Sequence, residues 1–301
     1  MRGRDLLHAV RRVLLGSSSS SSRHAGSAGS GLTVEEVSVA AREIVYHVLG
    51  TRASSSCEME VTPEQQERAH SLAHRRACRE PLQYVLGEWD FRDQTLTMRS
   101  PVLIPRPETE VLVDLIQRKL RQQHGLHFLE IGVGSGAISL SLLHENPSWT
   151  ATGIDLDDAA IQLTQHNASR CGVADRLTLH KQDITTATPS SPCFSSGPFD
   201  FVVSNPPYIR RDEMPKLAPE LRYENDMALC GGEDGLDVTR AILDIAPHII
   251  SRTGGARQLW LELSPPQCSA VARLVPPGCV LHVHLDQYGH ERFVQVNLWD
   301  G

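Results

Sequence analysis

No Cys-x-x-Cys pair occurs in this chain, although it holds seven cysteines: Cys57, Cys78, Cys171, Cys193, Cys230, Cys268 and Cys279. An odd count without metal-type spacing runs against both a zinc framework and a disulfide scaffold. It reads as reduced thiols in an intracellular compartment. No apolar run approaches membrane-spanning length, so no membrane partner is expected. Beyond the N-terminus, basic residues gather in no long run, aromatics make up only 5% and the formal net charge is −7. These shortages run against stable nucleic-acid binding and favour a protein or small-molecule partner. The 301 residues, 40% of them apolar, suffice for one large domain plus a small one.

Acid is scarce at the start as well. Arg2, Arg4, Arg11, Arg12 and Arg23 face a single carboxylate, Asp5. Leu6, Leu7, Val10, Val13 and Leu14 recur at helical spacing, and a serine run occupies residues 17–22. An Arg-rich, Ser-rich, acid-poor amphipathic start has the composition of a mitochondrial transit segment. Residues 1–31 are therefore set outside the fold, and the mitochondrial matrix is the expected destination.

From Thr33 the pattern turns globular. Thr33 with Glu36 makes a capping box; Val34, Val37, Ala41, Ile44, Val45 and Val48 form one apolar stripe, and Gly50 ends it. Thr62-Pro63 opens a second helix that runs to about Arg79. Together these predict a small helical domain over residues 32–83. His70 and His74 lie four apart on the second helix, but without a third ligand they read as a solvated face, and no metal is expected. Residues 84–104 alternate in polarity and hold Tyr84, Trp89 and Phe91, which predicts a linking β-hairpin. From 105 to 301 strand and helix alternate. Strands are expected at 127–131, 150–154, 177–180, 201–204 and 259–263, with an antiparallel finish at 280–285 and 293–298. That is an α/β chain with a three-layer, seven-stranded sheet.

The fourth of these strands ends in the strongest signal. Phe201, Val202 and Val203 lead into Asn205-Pro206-Pro207-Tyr208, a buried parallel strand stopped by a rigid turn. Two prolines fix φ twice and remove two N–H donors. Backbone carbonyls near Asn205 and Pro206 are left without ladder partners. Asn205 adds a side-chain carbonyl, so two acceptors can converge on one NH₂ group. In open α/β sheets ligands bind beyond the carboxyl ends of the strands.

The first strand runs into Gly132-Val133-Gly134-Ser135-Gly136 and then a helical pattern. Such a turn lets backbone approach a nucleotide cofactor closely. NAD, FAD and S-adenosylmethionine sites all share it. Asp155, ending the second strand, can accept from ribose hydroxyls, and Asp183, ending the third, from an adenine amino group. The third glycine comes one residue early for the dinucleotide pattern, and no Gly-Lys-Ser/Thr phosphate ligand follows, so nicotinamide is disfavoured.

EIGVGSGAI (130–138), Asp155 and SNPPYI (204–209) together resemble a class I S-adenosylmethionine-dependent methyltransferase. NPPY narrows the resemblance to enzymes acting on planar, amide-like or exocyclic amino nitrogens. IPRPETE (104–110), PLQYVLGEWDFRD upstream and ALCGGEDGLD downstream are far more specific. With them, residues 33–298 resemble the HemK/PrmC family, the glutamine methyltransferases of peptide-chain release factors. The Arg-rich leader adds a likeness to its mitochondrial member. The resemblance implies a class I methyltransferase domain at 105–301 and a substrate-recognition role for residues 32–83. It implies S-adenosylmethionine as cofactor and a release factor as protein partner of a monomeric enzyme. The reaction implied is methylation of the side-chain amide nitrogen of the Gln in a Gly-Gly-Gln motif.

Carried over residue by residue, cofactor binding falls to Glu130, Gly132, Val133, Gly134, Ser135, Gly136, Asp155, Asp183, Ile184 and Asn205. Substrate binding falls to Asn205, Pro206, Pro207 and Tyr208, with catalysis resting on Asn205, Pro206 and Tyr208. Asn205 and Pro206 are expected to accept from the substrate NH₂ and Tyr208 to pack on its plane. Glu130-Ile131-Gly132-Val133 stands where the family usually has Asp-Leu-Gly-Thr, and Asn225 where it usually has Pro, a change expected to touch only the loop over the site. Arg106 reads as paired with a neighbouring acid. Two other readings stand beside this one. An exocyclic-amine methyltransferase of RNA or DNA conflicts with the acidic charge and with IPRPETE. A non-enzymatic binding module conflicts with the intact glycine turn, Asp155 and Asn205.

Overall fold

In a computed structural model of the chain, residues 1–16, 30–52 and 54–298 are described. The serine run and Arg23 lie outside them. The chain divides into two units, Met1–Glu88 with Ala218–Tyr223, and Trp89–Leu217 with Glu224–Gly301.

Three amphipathic helices build the first unit: α1 (Gly3–Leu14), α2 (Val34–Leu49) and α3 (Pro63–Ala77). The capping box at Thr33 is formed, with Glu36 N–H donating to Thr33 Oγ1 at 3.1 Å and Thr33 N–H to the Glu36 carboxylate at 2.7 Å. Gly50 closes α2 at φ +69°. Arg76, buried on α3, pairs with Glu36 at 3.6 Å and with Glu220 at 3.0 Å. Arg79 adds a 2.7 Å pair to Glu220, so the short segment around Glu220 is bolted to the helices.

The start of the chain differs from expectation. α1 packs on α2 and α3 with Leu6, Val10 and Leu14 fully buried. Gly3 has no room for a side chain, since a Cβ there would collide with the Ser56 carbonyl. Residues 3–14 are thus part of the packed unit, not a segment outside it. Apolar residues at helical spacing make the same face whether it meets a receptor or a bundle, and composition cannot separate the two.

The predicted hairpin is also shorter than 84–104. Pro81 and a left-handed Gly87 (φ +79°) bracket a one-turn helix, α4 (Leu82–Leu86), which takes Tyr84. The two-stranded sheet is β1 (Glu88–Phe91) with β2 (Gln94–Thr97). Pro101 and Pro105 cannot donate to a ladder, and residues 98–106 run on without strand pairing.

The second unit opens with α5 (Pro107–Leu120), which begins at a proline in its first turn. The chain then alternates through β3 (His127–Ile131), α6 (Ala137–Glu145), β4 (Thr150–Asp155), α7 (Asp158–Arg170), β5 (Leu177–Lys181), β6 (Phe201–Ser204), α8 (Asp226–Leu229), α9 (Asp237–Ile249), β7 (Gln258–Glu262), α10 (Pro265–Val271), β8 (Val280–Leu285) and β9 (Glu291–Asn297). The seven-stranded sheet has the order β5-β4-β3-β6-β7-β9-β8; β3 to β7 are parallel, and β9 runs antiparallel to both neighbours.

Side-chain alternation covers both faces. Leu129, Ile131, Val202, Leu259 and Leu261 pack with Ile242, Ile249, Cys268 and Val271 of α9 and α10. On the opposite face Phe128 stacks on Phe201 at 4.9 Å and Trp149 meets both rings edge-on, while Glu130 reaches α6. The three layers follow. Strand order reverses between β3 and β6, the point where such sheets open a crevice at their carboxyl edge. All seven cysteines are free. Among the described residues no helix is long and apolar enough to cross a membrane.

Candidate active site

The crevice is present. A cleft with about 810 Å³ of empty space, open solvent included, is walled by the carboxyl ends of β3, β4, β5 and β6, where ligands of open α/β sheets bind. Gly132 and Gly134 line it after β3, Asp155 after β4, Asp183 and Ile184 after β5, and Asn205, Pro206 and Pro207 after β6. The glycine turn and the proline corner, predicted from separate stretches, share one space.

Gly132 (φ +77°) and Gly134 (φ +55°) adopt the left-handed conformation, and a Cβ at either would have no neighbour within 4 Å. They keep the cleft open and the backbone exposed to it. Asp155 holds the loop in place: Gly134 N–H donates to its Oδ2 and Asp157 N–H to its Oδ1, both at 2.9 Å. Burial pushes the Asp155 carboxyl upward against those bonds. Each oxygen retains a second lone pair for a ligand hydroxyl. Asp183 Oδ1 accepts from the backbone and the hydroxyl of Thr185, at 2.8 and 2.7 Å, which fixes the carboxylate at the rim.

The proline corner is as expected in its acceptors. Among the described residues no donor meets the Pro206 carbonyl. The Asn205 Nδ2 donates to Thr109 Oγ1 at 3.3 Å, which leaves its Oδ1 for the cleft. The glycines of ALCGGEDGLD explain the backing of this corner. A Cβ on Gly231 would fall 2.5 Å from the Pro207 carbonyl, and one on Gly235 would collide with the Tyr208 carbonyl.

Several predicted residues stand elsewhere. Glu130 does not line the cleft; it is 1% exposed, and its Oε2 accepts from the Ser139 N–H at 2.9 Å and from the Ser139 hydroxyl. Strand alternation explains this, because Ile131 takes the cleft-side position and Glu130 the opposite face. Burial pushes its carboxyl up to about 8. Val133 packs over Gly153, Ser135 accepts from Asn167 Nδ2 through its carbonyl at 2.9 Å, and Gly136 opens α6 where a Cβ would press on Leu140. These three shape the turn from behind. Tyr208 also lies off the cleft lining. Its carbonyl accepts from Gln267 Nε2 at 2.9 Å, and burial raises its phenol pKa beside Glu262 and Arg292. The bridge between Ile209 and Cys230 draws the chain away behind the corner.

Val102, Leu103, Gln182 and Met227 line the cleft without having been marked as site residues, and so does Asn225, marked only for standing where the family usually has Pro. Asn225 does more than fill a loop position. Its N–H donates to the Pro101 carbonyl and its Nδ2 to Asp157 Oδ2, both at 2.8 Å. A proline there would lack that N–H. Arg106 pairs with Glu224, as its residue type suggested. Among the described residues no cluster of metal-ligating side chains occurs.

The lining holds three carboxylates, Asp155, Asp157 and Asp183, with apolar walls and no Lys or Arg. That set repels a pyrophosphate and suits an adenosine bearing a cationic sulfonium. S-adenosylmethionine fits these residues, and fold and cleft together define a class I S-adenosylmethionine-dependent methyltransferase.

Comparison with known proteins narrows the class. The Methyltransferase small domain family matches residues 107–228 and the PrmC N-terminal domain family residues 26–87. The chain is 37% identical over 281 residues to human MTRF1L release factor glutamine methyltransferase, covering 87% of this chain and 82% of the human one. It is 36% identical over 261 residues to the release factor glutamine methyltransferase of Deinococcus radiodurans, covering 85% and 90%. In structure it is similar to the hMettl16 catalytic domain in complex with MAT2A 3'UTR hairpin 1, with TM-score 0.54 and 16% identity over 86% of this chain and 90% of that one. That likeness shows the fold alone. The chain belongs to the release factor glutamine methyltransferase family.

Proposed function

We propose that this protein methylates the side-chain amide nitrogen of the Gln in the Gly-Gly-Gln motif of a peptide-chain release factor. The observation that carries this reading is the shared cleft, which Asn205 and Pro206 line together with the glycine turn and the three carboxylates. Bound S-adenosylmethionine supplies an electrophilic methyl on a sulfonium. Gly132 and Gly134 give it backbone, Asp155 accepts from its ribose and Asp183 from its adenine.

An amide nitrogen is a poor nucleophile, because its lone pair is delocalised into the carbonyl. Asn205 Oδ1 and the Pro206 carbonyl each accept one N–H of the substrate NH₂. The pair fixes the nitrogen in the cleft, turns its lone pair toward the reacting carbon and stabilises the positive charge that develops there. The bond to nitrogen would form as the bond from the methyl to the sulfonium sulfur breaks, leaving a neutral thioether, and the N–H proton would pass to water. Pro206 and Pro207 hold both acceptors rigid. An exocyclic amine of RNA or DNA is not favoured as substrate, since the curated relatives above are named for glutamine methylation.

Action as a monomer is part of the same reading. The helical unit is assigned the grip on the release factor, and the Arg-rich start the import into mitochondria. Mass spectrometry of a Gly-Gly-Gln release-factor peptide after incubation with enzyme and S-adenosylmethionine tests the reaction. A 14-dalton gain on the Gln (about one methylene, the increment expected of a single transfer) supports it, and an unmodified Gln sinks it. Imaging of a fluorescent protein fused to residues 1–31 tests the destination, and cytosolic fluorescence would remove it.

A further inference from the structure

Behind Asn205 lies a buried pair of polar groups that the cleft itself does not use. Thr109, the threonine of IPRPETE, sits in the first turn of α5 and is 3% exposed. Its Oγ1 accepts from Asn205 Nδ2 at 3.3 Å. Its hydroxyl lies close enough to the Glu262 carboxylate, at the end of β7, to hold that group's pKa down. Glu262 is 1% exposed, and its Oε2 is buried with no hydrogen-bond partner. The parallel register Ser204 to Leu261 sets Asn205 and Glu262 side by side, one residue beyond the last paired position of their strands.

An asparagine amide can be turned either way, and the two orientations have opposite chemistry. With oxygen toward the cleft it accepts from a substrate NH₂; with nitrogen toward the cleft it repels one. A threonine hydroxyl would satisfy either orientation, because it both donates and accepts. Its neighbour decides. A buried carboxylate oxygen without a partner draws the hydroxyl proton toward itself, so that Thr109 offers Asn205 only a lone pair.

We propose that Thr109 and Glu262 are positioning residues for methyl transfer, which orient the Asn205 amide with its oxygen toward the reacting nitrogen. The inference rests on the reading of Asn205 given above. Glu262 lies beside Arg292 on β9, Arg106 and Glu108 at the start of α5, and Tyr208 after β6. Burial pushes its carboxyl up to about 7. Below that pH the protonated acid no longer demands the Thr109 proton, and the constraint on Asn205 is released.

The test is steady-state kinetics of Thr109→Val, Thr109→Ser and Glu262→Gln on the release-factor peptide, with calorimetric S-adenosylmethionine binding as the check of folding. Thr109→Val is expected to lower kcat about 10- to 100-fold, below the loss for a directly acting acceptor. Its cofactor affinity is expected to stay within about twofold. Thr109→Ser, which keeps the hydroxyl, is expected to return kcat to within about threefold of the unsubstituted enzyme. The unsubstituted enzyme should show an acid limb in kcat near pH 7, and Glu262→Gln, which keeps an acceptor but cannot titrate, should be flat there. Unchanged kcat in Thr109→Val overturns the proposal. So does an acid limb that persists in Glu262→Gln, or one absent from the unsubstituted enzyme. If the unsubstituted enzyme leaves the peptide unmethylated while binding the cofactor, the reading of the reaction fails first and this inference with it.

Discussion

One guanidinium nitrogen of Arg106 donates to both carboxylate oxygens of Glu224, at 2.8 and 2.7 Å. The Glu224 side chain is 1% exposed, and Arg106 reaches solvent with about a third of its surface. Burial pushes the Glu224 carboxyl upward while Arg106 pulls it back. The next residue, Asn225, begins the cleft wall that includes Met227 and Ala228. Arg106→Ala strands a buried carboxyl and loosens that wall. The expected cost is about 1–3 kcal/mol, reduced from a fully buried pair by the solvent access of Arg106. Calorimetry should show a lower melting temperature together with weaker S-adenosylmethionine binding. A variant that loses neither shows that Arg106 does not hold the wall.

Asn205→Ala removes one of the two acceptors proposed for the substrate NH₂. Turnover is expected to fall about 10²–10³-fold, as for other preorganised polar partners of a transition state. Cofactor affinity should fall little, because the apolar walls and the Asp155 and Asp183 carboxylates are untouched. Rapid-quench methylation assays beside binding calorimetry separate the two. Near-normal turnover in this variant refutes the acceptor role.

Asp155→Ala reverses that order. It deletes both the proposed ribose acceptor and the anchor of the Gly134 and Asp157 N–H groups. S-adenosylmethionine affinity should fall about tenfold or more, the loss of one to two hydrogen bonds to a charged group. Turnover at saturating cofactor should change less. Equal affinity in variant and parent by titration calorimetry removes the ribose assignment.

Glu130→Gln carries a signed pH prediction. The folded chain holds the Glu130 proton up to about pH 8, whereas the ordinary value for the carboxyl is 4.5. Between those values the native state binds a proton that the unfolded state has released, so stability falls as pH rises. Gln cannot ionise, and its carbonyl still accepts from the Ser139 N–H and hydroxyl. The variant should match the parent near pH 5 and exceed it near pH 8.5 by about 1 kcal/mol or more. Thermal melts at both values check this. Since Glu130 does not line the cleft, cofactor affinity should be unmoved.

Local signals made much of this molecule legible. The capping residues Thr33 and Glu36, the proline start of α5 and the alternation of seven strands are properties of a few adjacent residues, and each appears where it was read. So do Gly132, Gly134, Asp155, Asp183 and Asn205, because a residue that ends a parallel strand has only one crevice to face. What stayed hidden depends on faces and registers. Glu130 sits one step from Ile131, and that step turns it to the other layer. Thr109 and Glu262 lie 153 positions apart by their numbers, and only the pairing of β6 with β7 brings them together. Asn225 was marked by type alone; its bond to Asp157 needs the folded loop. The course of the chain past Tyr208 was also hidden, because the bridge from Ile209 to Cys230 pairs residues across a segment with no regular period.

The packing of α1 has a consequence for any shortened form of the chain. With Leu6, Val10 and Leu14 sealed inside the helical unit, removal of the first helix would lay bare to water the apolar faces of α2 and α3 that it covers.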